Sequence, residues 1–222
     1  MSQCRVISYP EPIPYAAALA QQYALVQARQ AGEIPDTLLL LEHPPTITLG
    51  RASEEADLLT SESELLARGY AVERVDRGGE ITYHGPGQLV GYPILDLRDH
   101  GQDLHRYLRD LEEVIIQTLH VYGVMGTRVA GRTGVWVDDK KIAAIGLKVS
   151  RWVSLHGFAL NITTDLTPFR RDMVPCGISD RDVTSLLELL PDSCPARADV
   201  ETVLVKEFAK IFQMEIVTFS TI

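Results

Sequence analysis

Between Leu104 and Tyr122 the chain repeats Leu104, Tyr107, Leu108, Leu111, Val114, Ile115, Thr118, Leu119 and Tyr122 on a 3.6-residue stripe. A stripe that long specifies an amphipathic helix of about five turns, which must bury one face against a partner layer. The rest of the sequence supplies strands for that layer. Short β-rich runs are read at Arg5–Tyr9, Thr37–Glu42, Thr46–Leu49, Tyr70–Val75, Leu89–Leu95, Gly134–Val137, Lys141–Val149, Leu155–Thr163 and Glu215–Phe219. A further short strand lies within Arg77–Gln88, wrapped in loop residues. Other helices are read at Tyr15–Ala31, from the Ser61/Glu64 capping pair to Gly69, at Thr167–Met173 and at Ala198–Phe212. The strands come in hairpin-like groups, as around Asp138-Asp139-Lys140, and not in strict alternation with helices. The expected class is α+β, a mixed or antiparallel sheet packed with helices. With no internal repeat, low-complexity tract or linker, residues 1–222 read as one domain.

Charge and cysteine usage narrow the function. The 222 residues carry 21 Lys+Arg against 30 Asp+Glu, a net charge of −9, which argues against a general nucleic-acid binder. No apolar run reaches the ~20 residues that span a bilayer, and the opening MSQCRVISYPEPIPY lacks a secretory signal's pattern. A cytoplasmic chain without a membrane anchor is expected. Cys4, Cys176 and Cys194 are an odd set at distant positions, so neither a disulfide framework nor a zinc site is expected. The segment Arg128–Arg151 holds six basic and two acidic residues, +4 against −13 for the other 198 residues. It reads either as a solvated hairpin or as a patch that steers an acidic partner.

Several residues are open to both a chemical and a structural reading. His84 sits in Tyr83-His84-Gly85-Pro86-Gly87 and His156 precedes Gly157, but no histidine pair has metal-binding spacing. Arg77-Gly78-Gly79 and Gly85-Pro86-Gly87 match neither phosphate-loop pattern and imply only close backbone approach. Cys176, between Pro175 and Gly177, suits a nucleophile presented on a turn and equally a small buried hydrophobe. A thiol with pKa near 8.5 is only a few per cent ionised at neutral pH, and a cation within about 4–6 Å would lower that pKa by about 1–3 units. His84, His156 and the lysines of the basic segment could supply it. Lys141, which opens the run Ile-Ala-Ala-Ile-Gly, is a candidate for a partly desolvated ammonium, or a hairpin-end lysine in water.

Four blocks, RGGEITYHGPGQLVGYPILDL (Arg77–Leu97), GRTGVWV with KKIAAIG (Gly131–Gly146), SLHGFALNI (Ser154–Ile162) and PCGISDRDVTSL (Pro175–Leu186), resemble the lipoyl(octanoyl) transferases in residues and order. The resemblance implies the fold of the catalytic domains of biotin and lipoate ligases. It also implies transfer of an octanoyl group from acyl-carrier protein to a lysine of lipoyl domains. The acceptors would be 2-oxoacid dehydrogenase complexes and the glycine-cleavage H protein. Carried over residue by residue, the acyl-thioester cysteine is Cys176 and the lysine that lowers its pKa is Lys141. The substrate loop is Arg77, Gly78, Gly79, Glu80, Ile81, Thr82, Tyr83 and His84, with further contacts at Ala144, Ile145, Gly146 and at Gly157, Phe158, Ala159. Neither cofactor nor metal is implied, and a monomer is expected. The small residues Ala144, Gly146, Gly157 and Ala159 are expected to leave room for the acyl chain. The competing readings are an ATP-dependent lipoate or biotin ligase, a cysteine-dependent amidotransferase reading another carrier, and a catalytically dead carrier-binding module.

Overall fold

The computed structural model describes residues 2–174 and 182–221. Its main sheet has seven strands, here β1 (Ser2–Ser8), β2 (Asp36–Leu41), β6 (Gln88–Ile94), β7 (Val135–Val137), β8 (Lys140–Ser150), β9 (Val153–Asn161) and β10 (Met214–Thr221). They lie in the order β10-β1-β2-β6-β9-β8-β7. The β10, β1 and β2 neighbours are parallel, and the rest of the sheet is antiparallel. A second sheet, β4-β3-β5, is built from β3 (Thr46–Leu49), β4 (Ala71–Arg74) and β5 (Ile81–His84).

Period-2 alternation assigns the two faces of the main sheet. Leu38, Leu40, Leu89, Phe158 and Leu160 share one core with Tyr107, Leu111, Val114, Ile115, Leu204 and Phe208. Those last six residues come from α3 (Leu104–Val121) and α6 (Arg197–Ile211), so both helices cover that face. Leu39, Leu41, Val90, Tyr92 and Ala159 point the other way, toward Ala18 of α1 (Tyr15–Gln30). The small sheet has its own core of Ile47, Leu65, Ile81, Tyr83, Phe169 and Met173, closed by α2 (Glu62–Ala67) and α4 (Thr167–Arg171).

The α+β expectation and the mixed sheet are borne out, with most element ends within one or two residues of the sequence reading. Helix α3 starts at Asp103, whose carboxylate accepts from the backbone N–H groups of His105 and Arg106. Ser61 caps α2 by accepting from Glu64 N. The sequence reading did not anticipate α5 (Leu186–Leu189) or the 3-10 turn Glu55–Asp57. Both are too short to show a period. Among the described residues no helix is long and apolar enough to cross a membrane.

Candidate active site

A β-bulge orients Lys141. Trp136 of β7 faces Lys141 and Val135 faces Ala143, so Ile142 is an extra residue on β8. A bulge turns two successive side chains the same way, and Ile142 and Ala143 both enter the main core. Under strict alternation Lys141 would join Ala143 and Ile145 in that core. The bulge instead turns it to the opposite face, where its ammonium lies 4.9 Å from the Trp136 ring centroid. There it borders a cavity of about 220 Å³. Beside it, Lys141 N donates to Asp182 O at 3.0 Å and Thr184 N donates to Lys141 O at 3.0 Å. Cys176 lies outside the described residues, and the described chain resumes at Asp182.

The cavity is bounded by β8, β9 and the segment leading into β5. Ala144 pairs with Ala159 and Gly146 with Gly157, so all four lie on one face. The glycines have a different reason from the one expected. A Cβ on Gly157 would come within 2.1 Å of Gly91 O, and one on Gly146 within 2.9 Å of Gly78 O. They admit neighbouring backbone, and the room in the slot comes from the sheet and loop that this close packing sets in place. Gly78 N donates to Leu147 O at 2.8 Å, docking the loop onto β8.

The structure brings most of the resemblance-derived residues together. Arg77, Gly79, Glu80, Ile81, Thr82, His84, Lys141, Ala144, Ile145, Gly146, Gly157, Phe158 and Ala159 all border this cavity. Gly78 and Tyr83 do not border it. Gly78 is taken up by the contact with β8, and Tyr83 alternates away into the small-sheet core, edge-on to Phe169 with centroids 5.6 Å apart. Ile145 and Phe158 also belong to the main core. Arg77 is buried, and its guanidinium donates to Thr48 O at 2.9 Å and Thr48 Oγ1 at 2.8 Å.

Sequence reasoning did not assign Tyr15, Val90, Tyr92, Gly131, Arg132, Thr133 or His156 to the cavity, yet they border it. Tyr15 comes from α1, outside the quoted blocks, whereas Val90 and Tyr92 lie in Arg77–Leu97 and His156 in Ser154–Ile162. Gly131, Arg132 and Thr133 lay within a quoted block, and Glu112 of α3 holds their loop. The fully buried Glu112 carboxylate accepts from Gly134 N at 3.1 Å, from Arg109 at 2.6 Å and from Arg128 at 3.0 Å. That pairing also revises the charge reading of Arg128–Arg151. Arg128 is matched by Glu112 and Glu113, and Lys148 by Asp76, so much of the +4 is neutralised locally.

Hydrogen bonds lock the rings around the cavity. His43 Nδ1 lies 2.6 Å from Ile13 O, and a carbonyl can only accept, so Nδ1 carries the proton. His43 Nε2 then accepts from the Tyr92 hydroxyl at 2.7 Å. His156 Nε2 donates to Asp76 Oδ1 at 3.0 Å, and its Nδ1 lies 3.4 Å from the Tyr15 hydroxyl. His84 Nδ1 donates to Gln88 Oε1 at 2.8 Å, and Gln88 Nε2 donates to Asn161 Oδ1 at 3.0 Å.

Burial depresses the His43 imidazole to about 4, and lowers His84 and His156 as well. These rings are neutral at pH 7. Burial pushes the Tyr15 phenol up to about 12. For Asp76, partial burial acts to raise the carboxyl, but bonds from Lys148, His156 and Tyr23 outweigh it and hold it well below the usual range. Elsewhere, burial pushes the Cys4 thiol up to about 12 and raises Cys194, so neither is a ready thiolate. Among the described residues no cluster of His, Cys, Asp or Glu has the makings of a metal site.

Comparison with known proteins agrees with this architecture. Residues 14–209 match the family model for the lipoyl protein ligase A/B catalytic domain. The octanoyltransferase of Chloroflexus aurantiacus is 51% identical over 212 residues, 94% of each chain. That of Acidobacterium capsulatum is 50% identical over 214 residues, covering 90% of this chain and 87% of its own. That of Gloeobacter violaceus is 48% identical over 216 residues, covering 97% and 93%. Among solved structures, lipoate-protein ligase A bound with ATP has a TM-score of 0.78 at 18% identity, covering 99% of this chain and 89% of its own. The bipartite lipoate protein ligase of Thermoplasma acidophilum scores 0.76 at 17% identity, covering 100% and 88%. Apo biotin protein ligase from Aquifex aeolicus scores 0.52 at 12% identity, covering 96% and 70%. These structures share the fold, and the relatives that match half the sequence over nearly its whole length place the chain in the lipoyl protein ligase A/B catalytic domain family, among its octanoyltransferases.

Proposed function

We propose that this chain is an acyltransferase that moves an octanoyl group from an acyl carrier to a lysine of a lipoyl domain, through a thioester on Cys176. One observation carries the reading: in a chain about 50% identical to octanoyltransferases, a bulge turns Lys141 out of the core to the edge of a slot that Ala144 and Ala159 border. The donor would be octanoyl-acyl-carrier protein. The acceptors would be lipoyl domains of 2-oxoacid dehydrogenase complexes and the glycine-cleavage H protein. The chain would act as one domain, a monomer, in the cytoplasm.

The proposed chemistry has two balanced steps. The Cys176 thiolate attacks the octanoyl carbonyl, forming the enzyme thioester and expelling the carrier thiolate, which takes up a proton. The acceptor lysine, as a neutral amine, then attacks this thioester; the C–S bond breaks, the nitrogen gives up one proton to a base, and the amide and the Cys176 thiolate form. The first exchange trades one thioester for another and needs no ATP. The Lys141 ammonium favours both leaving and attacking thiolates by charge, and as a proton carrier it would serve the amine step. The slot holds the chain by burial at about 0.8 kcal/mol per methylene.

The specific alternative is an ATP-dependent ligase, since a ligase bound with ATP shares this fold. Incubation of the chain with a lipoyl domain and octanoyl-acyl-carrier protein, without ATP, separates the two. An acceptor that gains one octanoyl group supports transfer. Modification only with free octanoate plus ATP overturns it.

A further inference from the structure

The slot has a direction set by strand register. Lys141 marks one end. From Lys141 to Gly146 the strand advances five residues, about 16 Å at 3.3 Å per residue. Val90 pairs with Ala159, which faces Ala144, while Gly91 pairs with Phe158, so Tyr92 comes level with Gly157 and Gly146. A chain entering beside Lys141 passes His84, which Gln88 holds level with Asn161, then Val90, Ala144 and Ala159, and then meets Tyr92 and Tyr15. Tyr15 and His84 stack at 5.8 Å between centroids, and Tyr92 lies 5.9 Å from His43, which packs behind against both Tyr15 and His84. Tyr15, His84 and Tyr92 border the cavity.

We infer that Tyr15 and Tyr92, backed by His43, form the stop that sets the length of the acyl chain. This rests on the octanoyl-transfer reading of the slot. The rings suit the task because their polar atoms are held within the protein. The Tyr92 hydroxyl goes to His43, His43 Nδ1 to Ile13 O, and the Tyr15 hydroxyl faces His156. Withdrawing a ring would abandon a buried hydrogen bond, so the wall resists displacement by a longer chain. Gly157 adds to this rigidity, since its contact with Gly91 O fixes β9 against β6.

The test truncates the rings one at a time, as Tyr15→Leu and Tyr92→Leu, and compares transfer of octanoyl, decanoyl and dodecanoyl groups from carrier protein to a lipoyl domain. Circular dichroism and melting confirm the fold of each variant. Tyr15→Leu, at the first turn of α1, serves if the buried Tyr92→Leu fails to fold. Burial of each added methylene contributes about fourfold, so the decanoyl-to-octanoyl ratio of kcat/KM should rise about fifteenfold in the variant that opens the wall. Calorimetric binding of free octanoate and decanoate should shift in the same direction. Folded variants with an unchanged ratio, or with equal loss at every length, overturn the stop. Failure of the unaltered protein to transfer octanoyl from carrier overturns the reading beneath it instead.

Discussion

The Lys141 ammonium stands 4.9 Å from the centroid of the Trp136 ring, on the face of β8 to which the extra residue Ile142 turns it. Without that residue the same side chain would point into a core of Ala143 and Ile145. One bulge thus converts a hairpin-end lysine into a cation beside an apolar slot, in keeping with bulges that re-aim side chains beside active sites.

Removal of that cation should separate chemistry from stability. Lys141→Ala is expected to lower kcat/KM by about 10²–10⁴-fold, the range for a lost proton-transferring group. Its melting temperature should stay within a few degrees of the parent, because the residue packs at the cavity edge. Steady-state transfer assays and thermal denaturation check both. Activity within a few-fold of the parent would contradict the assigned role.

The glycine contacts give an ordered pair of stability effects. Gly157→Ala places a Cβ 2.1 Å from Gly91 O, whereas Gly146→Ala meets Gly78 O at 2.9 Å, the milder clash. Overpacking of this kind costs about 1–3 kcal/mol, with Gly157→Ala at or above the upper end and Gly146→Ala near the lower. Urea denaturation of the two variants measures the difference.

Glu112 is a buried carboxylate shared by two arginines and a loop N–H. Glu112→Gln keeps the shape but removes the charge that Arg109 and Arg128 face. Loss of one partner from a buried charge cluster costs about 3–5 kcal/mol, and the exposed ends of the two arginines reduce this to about 1–3 kcal/mol. Because Gly131, Arg132 and Thr133 line the cavity, KM for the acyl donor should rise more than kcat falls. Transfer kinetics and melting of the variant report each effect.

Stability should fall on acidification. Burial holds His43 near 4 in the fold, against about 6.5 in the unfolded chain. Above pH 6.5 both states are neutral and nothing changes. Between about 6.5 and 4 the unfolded state binds the proton and the folded state does not, which removes about 3 kcal/mol over that window. His84 and His156 are lowered too and act with the same sign. Depressed Asp76 adds a loss below about pH 4, as the unfolded carboxyl protonates first. Melting temperatures from pH 8 to 4.5 should be flat and then decline, and His43→Gln should shallow the decline.

The sequence carried much of this architecture. Helix α3 was legible because nineteen residues kept one period, and Ser61/Glu64 announced α2 because capping is local chemistry. The parallel pairing of β1 with β2 and β10 was not legible, since it joins residues such as Cys4 and Ile216 across the whole chain. In the site, the Arg77–His84 loop was readable as a block. Within it, alternation along β5 sends Tyr83 to the core while Thr82 and His84 border the cavity. Tyr15 reaches the cavity only through the packing of α1, which no spacing in the sequence records, while Tyr92 and His156 lie in quoted blocks whose place on the slot is set by the pairing of β6 and β9. The bulge at Ile142 is likewise a property of pairing with β7.

The central claim, that Cys176 carries the acyl group, is tested most directly by intact-mass spectrometry after mixing the protein with octanoyl-acyl-carrier protein in the absence of ATP. The expected result is a gain of one octanoyl group that hydroxylamine removes and that Cys176→Ser and Cys176→Ala abolish. A lipoyl domain octanoylated at full rate by Cys176→Ala, or an adduct that persists in that variant, would contradict it.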